Sequence, residues 1–267
     1  WLPDAHSSAP APISAMLSGV LIKALGVYVL IRLFFNVFGE MPVFSEVFLV
    51  LGTLSMIAGV FLALGQWDVK RLLAYHSISQ IGYIIIGVGL GTTLGLLGAV
   101  FHLLNHAIFK ALLFLNAGSL EMALGTRDLR QMGKVSKALP VTSFTSMVAS
   151  LSISGIPPFN GFFSKLIIFI AAIQIGRPVV AFLAGLGSLL TLASFMKVQR
   201  YGFHGEKTVT ADQAKVGWGM RAAMIVLEIL CLATSALVIP GVREVTLDPV
   251  VEVIMNKTGY ITRVLGR

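Results

Sequence analysis

The chain has 267 residues, of which 56% are hydrophobic and only 12% charged, with a mean hydropathy of +0.88. A soluble domain carries about 25% charged residues, so this composition excludes a water-soluble globule and calls for a bilayer. The net charge of +8 comes from 20 Lys and Arg set thinly between apolar runs. That is the pattern of loop charges flanking membrane spans, with no basic–aromatic cluster of the kind that binds nucleic acid.

In chain order, Trp1 to Pro12 lacks the basic start and short apolar core of a signal peptide and reads as an internal loop of a longer polypeptide, His6 included. A spanning helix needs about 20 mostly apolar residues. Runs of that kind extend from Ile13 to about Phe38, Val43 to Leu64, Leu72 to about Leu90, and Leu94 to Leu120. The next, Leu139 to about Ile175, is too long for one straight span and is interrupted at residues 155–161, GIPPFNG. Its two prolines remove backbone donors and clash with the preceding turn, which predicts a broken helix; two short packing helices with a proline kink are the plain alternative. Irregular backbone at membrane depth survives where it is buried in protein or lines a hydrated cavity. Val179 to Val198 and Ala222 to Ile239 complete seven spans. The expected fold class is therefore all-α: a polytopic membrane bundle of about seven helices, one of them broken. Residues 1–240 form the membrane domain. Residues 241–267 form an external amphipathic segment, with Val250, Val253, Ile254, Ile261 and Val264 as one packing face.

Loop charge sets the orientation. Lys70, Arg71, Arg127, Arg130, Lys134, Lys137, Lys197, Arg200, Lys207, Lys215 and Arg221 fall on one side. Arg32, Arg177, Arg243, Lys257, Arg263 and Arg267 fall on the other. The richer side is cytoplasmic by the positive-inside rule, which places Trp1 in the cytoplasm and the C-terminus outside a multi-pass cell membrane protein.

Three lysines remain, Lys23, Lys110 and Lys165, all inside spans. Each costs about 2.5–3.5 kcal/mol at a helix centre. Glu228, a weak site candidate, is the one carboxylate deep in a span and cannot neutralise three lysines. Burial penalises an ammonium relative to the neutral amine, so such lysines suit proton exchange or a switch of charge. His102, His106 and Lys110 stand at i, i+4 and i+8. They make one polar stripe about 12 Å long on an apolar helix, with Asn105 beside it. Histidine titrates near neutrality and suits a proton relay. The rival is a metal site, which i, i+4 histidines can begin but which needs further ligands. His76, in Tyr75-His76-Ser77-Ile78-Ser79-Gln80, is either a cap near the interface or part of a hydrated path. The lone Cys231 can neither form an internal disulfide nor hold an iron–sulfur cluster, and no Gly-rich phosphate loop follows a strand pattern. The chain thus has no cofactor or catalytic site of its own.

Four segments in order carry a resemblance: residues 1–15, WLPDAHSSAPAPISA; 68–83, DVKRLLAYHSISQIGY; 101–115, FHLLNHAIFKALLFL; and 151–165, LSISGIPPFNGFFSK. They resemble the antiporter-like family of respiratory complex I, Mrp-type cation/proton antiporters, and energy-converting hydrogenases and formate hydrogenlyases. The resemblance implies a fold of fourteen spans with two inverted five-helix repeats, of which this chain is the last seven spans. It implies proton-path roles for Lys23, His102, His106, Lys110 and Lys165, while the family's essential glutamate and lysine of the first repeat would lie upstream of Trp1. Lys165, where complex I subunits have an acid, points to the Mrp and hydrogenase branch. The implied function is proton or sodium ion translocation as a subunit of a redox-driven complex, with other membrane subunits and a peripheral redox arm as partners. A stand-alone Mrp-type antiporter subunit is the alternative, and a non-conducting anchor the second.

Overall fold

A computed structural model describes residues 1–39, 42–205, 210–212 and 215–266. Among them there are helices and no strands. A short helix α1 (Leu2–Ser8) precedes α2 (Ala11–Val37), α3 (Pro42–Leu64), α4 (Val69–Gly89) and α5 (Thr93–Leu124). The broken span is α6 (Pro140–Ser154) and α7 (Asn160–Gln174); α8 (Pro178–Phe203) and α9 (Trp218–Val238) follow. Among the described residues six helices are long and apolar enough to cross a membrane, and the shorter α6 and α7 together correspond to the interrupted seventh run. The seven spans and the break therefore stand as the apolar runs predict. Lys207 and Arg267 lie outside the described residues, as do the side chains of Arg263 and Val264.

Local chemistry sets the helix ends. Asp68 caps α4, its carboxylate accepting from the Lys70 and Arg71 amides at 2.8 and 3.1 Å. Thr92 caps α5 by accepting from the Gly95 amide. Gly125 and Gly155 end α5 and α6 in the left-handed region, at φ +70° and +78°. That region costs a side-chain-bearing residue strain.

The loop charges gather as expected. Val69 donates to the Arg127 carbonyl, Leu129 to Trp67 and Ser136 to Phe203, so the loops after α3, α5 and α8 meet at one end, the basic face. α4 and α5 are mostly buried in the centre, whereas α2, α3, α8 and α9 are mostly exposed, turning residues such as Leu54, Phe61, Phe182 and Ile229 outward. Outward apolar side chains of that kind suit lipid contact, since hydrocarbon solvates them at no cost.

Three expectations are corrected. Trp1 to Pro12 is not all loop: Leu2–Ser8 within it is a helix, and His6 on it is buried against the Phe114 ring at 4.8 Å. Its C-terminal end is tied to the basic face by Lys70, which donates to the Ala9 carbonyl at 3.1 Å, and by Arg127, which donates to Ser7. Trp1 is not at that face: it lines an apolar groove of about 790 Å³ together with Leu25, Val29, Leu30 and Ile85, well along the spans. Lys70 is not an exposed loop charge either. It is buried and paired with Glu121 at 2.6 Å, because α5 runs one turn further than the apolar run suggests.

The C-terminal segment divides at Asn256 into α11 (Asp248–Met255) and α12 (Lys257–Leu265), after a short α10 (Pro240–Thr246). Val251 and Ile254 join one buried apolar cluster with Val27, Ile31 and Phe35 of α2, and Asn36 donates to the Ile254 carbonyl at 2.9 Å. Val250 and Val253 point outward. Ile254 is thus on the packing face as expected, whereas Val251 stands there in place of Val250 and Val253. The segment docks at the end opposite the basic face, with Arg243 and Asp248 paired at 3.1 Å.

Candidate functional site: a buried line of lysines and histidines

Lys23, His76, His102, His106, Lys110 and Lys165 are all buried, at 5% exposure or less. No ion pair reaches any of them among the described residues. Apart from His106, what they meet instead is hydroxyls, amides and backbone carbonyls.

Lys23 follows the π-helical turn Leu17–Leu21 of α2. A π turn loosens the regular hydrogen-bond ladder, and Lys23 Nζ donates there to the Ser18 carbonyl at 3.0 Å and to Ser18 Oγ at 2.5 Å. Ser18 Oγ lies 3.3 Å from Ser77 Oγ of α4, and Ser77 donates to the Leu73 carbonyl at 3.2 Å. Lys110 Nζ of α5 donates to that same carbonyl. Two lysines on different spans are therefore joined through two serines and one shared acceptor. Phe114 packs beside the Lys110 ammonium, 5.6 Å from Nζ to the ring centre.

His102, two turns from Lys110, has both ring nitrogens engaged: Nδ1 with Ser164 Oγ at 2.9 Å and Nε2 with Gln80 Oε1 at 3.2 Å. His106 has neither nitrogen partnered among the described residues. His76 Nε2 meets Ser194 Oγ of α8 at 2.8 Å, and its Nδ1 is unpartnered. Among the described residues no third metal-ligating side chain joins His102 and His106.

Lys165 sits one turn into α7 and reaches back across the break, donating to the Ile153 carbonyl of α6 at 2.8 Å. The last carbonyls of a helix lack intrahelical donors and carry partial negative charge, which suits an ammonium. The Tyr83 ring lies 4.5 Å from Nζ, held by its hydroxyl on the Ala184 carbonyl at 2.7 Å. Gly161 allows the two half-helices to touch: a Cβ there would enter the Ser152 carbonyl. Asn160 fastens the crossing. It accepts from Ser152 Oγ, donates to Thr234 Oγ1 at 2.9 Å, and its carbonyl takes Asn105 Nδ2 at 3.0 Å.

Five of the six residues thus fall into a Lys23–Lys110 group, a His102–Lys165 group around Gln80, Tyr83 and Ser164, and His76 on the α8 side; His106 stands on α5 between Lys110 and His102. Unpartnered buried atoms on Gln80, Asn105, His76 and His106 lie along the same two central helices. Buried polar atoms are nearly always satisfied by protein or water, so these are the points along the line at which water would serve as a partner. Glu228 is half-buried on α9 and makes no ion pair among the described residues. The sequence reading misses His6, which burial and the Lys23 and Lys110 ammoniums push down to about 4. It also misses Ser18, whose signal is its place five residues before a mid-span lysine.

Comparison with known proteins gives the family. The family model described as "NADH:quinone oxidoreductase/Mrp antiporter, TM" matches residues 1–191. The chain is 36% identical to a subunit of the Na(+)/H(+) antiporter of Alkalihalophilus pseudofirmus, over 99% of this chain and 54% of that protein. It is 34% identical to hydrogenase-4 component B of Escherichia coli, over 87% of this chain and 38% of that one. The solved Mrp complex of Dietzia sp. contains a chain that superposes with a TM-score of 0.89 at 29% identity, covering 99% of this chain and 57% of that one. The chain spans about half the length of these relatives. With its broken helix and buried lysines in the matched region, this chain belongs to the NADH:quinone oxidoreductase/Mrp antiporter membrane family.

Proposed function

We propose that the chain translocates protons, or sodium ions, across the membrane as an antiporter-like subunit of a multisubunit complex, along a line formed by Lys23, Lys110, His106, His102 and Lys165 with His76 beside it. The observation that carries the reading is the linkage of Lys23 to Lys110 through Ser18, Ser77 and the Leu73 carbonyl. Neither lysine has a fixed counter-ion among the described residues, so each is free to change its charge, and a change at one is felt at the other through a short hydrogen-bonded path. Ionisable residues kept inside a membrane at such cost mark ion pathways. Two assemblies fit: a redox-driven complex of the hydrogenase and complex I type, and a Mrp-type antiporter. The matches to the Na(+)/H(+) antiporter protein and to the Mrp-complex chain, each over 99% of this chain against 87% for the hydrogenase component, support the second. Residues 1–240 form the translocating part, and residues 241–267 brace it at the outer end.

The test is ion flux in proteoliposomes holding the whole complex. Lys110→Ala is expected to abolish flux with assembly intact, and Lys110→Arg to leave it strongly reduced, since guanidinium cannot release its proton. Undiminished flux in Lys110→Ala would reduce the chain to an anchor.

A further inference from the structure

The broken span cannot satisfy its own backbone. Pro157 and Pro158 carry no N–H. Within the break Gly155 donates to the Ser152 carbonyl, Ile156 to Leu151 and Phe159 to Ile156, which leaves the carbonyls of Ile153 and Pro158 to side chains. Lys165 takes the first at 2.8 Å. Ser235 Oγ of α9 donates to the second at 2.9 Å. Its neighbour Thr234 reaches the same stretch: Thr234 Oγ1 donates to the Leu230 carbonyl of its own helix at 2.7 Å and accepts from Asn160 Nδ2 at 2.9 Å. One turn earlier, Cys231 is buried in the apolar cluster that holds Ile153 and Phe159. Thr234 and Ser235 open the 3₁₀ turn Thr234–Val238 that ends α9, and Leu237 and Val238 in it pack against the cluster that contains Val27, Ile31 and Val251. One turn of chain is thus tied to the break by its first two side chains and to α2 and α11 by its last two.

A hydroxyl late in a helix ordinarily bonds the carbonyl four residues back and serves nothing beyond its own helix. Thr246 of α10 is of that kind, donating to the Val242 carbonyl at 2.7 Å. Ser235 is not, because its bond leaves α9. Thr234 gives its proton to Leu230 and its lone pair to Asn160, whose side-chain oxygen in turn takes Ser152 of the other half-helix. The nitrogen and oxygen of that amide are fixed in one plane, so holding the nitrogen on α9 aims the oxygen at α6. Of the long spans α9 is the least buried. Two adjacent hydroxyls that turn inward from it to one stretch, Pro158 to Asn160, are therefore a directed contact rather than general packing.

We propose that Thr234 and Ser235 are positioning residues for the broken-helix site: they fix Asn160 and Pro158 so that the end of α6 presents the Ile153 carbonyl to Lys165. The inference rests on the translocation reading above and adds the end of α9 to its working parts. The experiment measures ion flux against pH in proteoliposomes holding the complete complex, with thermal unfolding of the same complexes alongside. The variants are Thr234→Val, Thr234→Ser, Ser235→Ala and, as the control, Thr246→Val. Thr234→Val and Ser235→Ala are each expected to lower flux about 2- to 10-fold, the factor that one hydrogen bond commands. Each should also move the pH of half-maximal flux, because Lys165 then exchanges its proton beside a displaced carbonyl. The titratable groups coupled to Lys165 are Tyr83 and His76 of α4 and His102 of α5, and the variants touch none of them. A lesion that merely loosens the bundle lowers flux by one factor at every pH and leaves the midpoint in place. Thr234→Ser should restore both flux and midpoint, and Thr246→Val should change neither. Full flux in Thr234→Val and Ser235→Ala, an equal loss in Thr246→Val, a Thr234→Ser no better than Thr234→Val, or reduced flux with an unmoved midpoint would each overturn the proposal. Lys110→Ala in the same vesicles separates the two readings. Flux lost there but full in Thr234→Val and Ser235→Ala sinks the positioning role alone, whereas flux unchanged there sinks the translocation reading on which it stands.

Discussion

Replacing Gly161 by alanine is expected to open the broken helix. The added Cβ would lie 2.9 Å from the carbonyl carbon of Ser152 and closer still to its oxygen. Ordinary van der Waals contact begins near 3.4 Å, so α7 must retreat from α6 by a sizeable part of an ångström, against backbone rather than a pliable side chain. Forcing atoms into a packed contact costs about 1–3 kcal/mol or more, while alanine returns at most about 1 kcal/mol of helix propensity. A net loss of about 1–2 kcal/mol lowers the melting temperature of a chain this size by about 2–8 °C. The same retreat lengthens the contact from Lys165 Nζ to the Ile153 carbonyl, now 2.8 Å, and loosens Asn160 from Ser152. Ion flux should therefore fall further than stability does. The matched control is Gly185→Ala, whose Cβ meets nothing within 4 Å. Thermal unfolding of the detergent-solubilised complex and flux in proteoliposomes are the assays. If Gly161→Ala behaved like Gly185→Ala in both, the two half-helices would not touch at this point and the account of the break would be wrong.

Glu121→Gln leaves the buried Lys70 ammonium with the Ala9 carbonyl as its named partner. Because Glu121 is about one-third exposed, the loss should be about 1–3 kcal/mol, the penalty of an under-satisfied buried group, and Lys70→Met in the same chain should recover part of it on thermal unfolding. Asp68→Ala removes the cap of α4 and should cost about 0.5–2 kcal/mol. Asp68→Asn keeps the cap, loses the Arg127 ion pair at 3.3 Å, and should cost less in the same melt. His6 gives a pH signature. Its usual value is 6.5 and burial beside Lys23 and Lys110 lowers it to about 4. Between those limits the unfolded chain binds a proton that the folded chain does not, so stability is full above about 6.5, declines as pH falls towards 4 and levels off below. His6→Leu should flatten that part of the melting profile; an unchanged slope would place the titration elsewhere.

Much of the fold was legible because a bilayer leaves few choices. Runs of about 20 apolar residues become helices, and those runs predicted all seven crossings, while Gly155, Pro157 and Pro158 marked the break. Less was legible where every side of a helix is apolar. In water the buried face declares itself by contrast; in lipid it does not. In the amphipathic C-terminal segment the ambiguity is one of register: Val250–Val251 and Val253–Ile254 are adjacent apolar pairs, and the structure buries the second of each. Lys70 read as a loop charge because its partner, Glu121, is far away in the chain and only folding joins them. The π turns at Leu17–Leu21 and Gln199–Phe203 leave no compositional mark. The six site residues are all buried, and they stood out in the sequence because ionisable groups contrast with an apolar background. Their grouping was not legible, because Ser18, Ser77 and Ser164, which join them, are ordinary small residues in a membrane helix.

The three central lysines share one solution to burial, and it bears on what they can do. Lys23 meets the Ser18 carbonyl beside a π turn, Lys165 the Ile153 carbonyl beside the break, and Lys110 the Leu73 carbonyl that Ser77 also uses. A carboxylate at any of these places would fix the ammonium in its charged form, and removing either partner would strand the other. Carbonyl dipoles solvate the ammonium less completely and remain tolerable when the amine is neutral, because a carbonyl without a donor costs far less than an unpaired anion. Backbone carbonyls therefore do here what a counter-ion does in a soluble core, without committing the lysine to one charge state, and for Lys23 and Lys165 irregular backbone supplies them. On this argument the π turn in α2 and the break between α6 and α7 serve the same purpose. A carboxylate installed next to Lys23, as by Ser18→Asp, should hold the charge in place and stop ion flux in proteoliposomes while leaving the fold, and even its stability, intact.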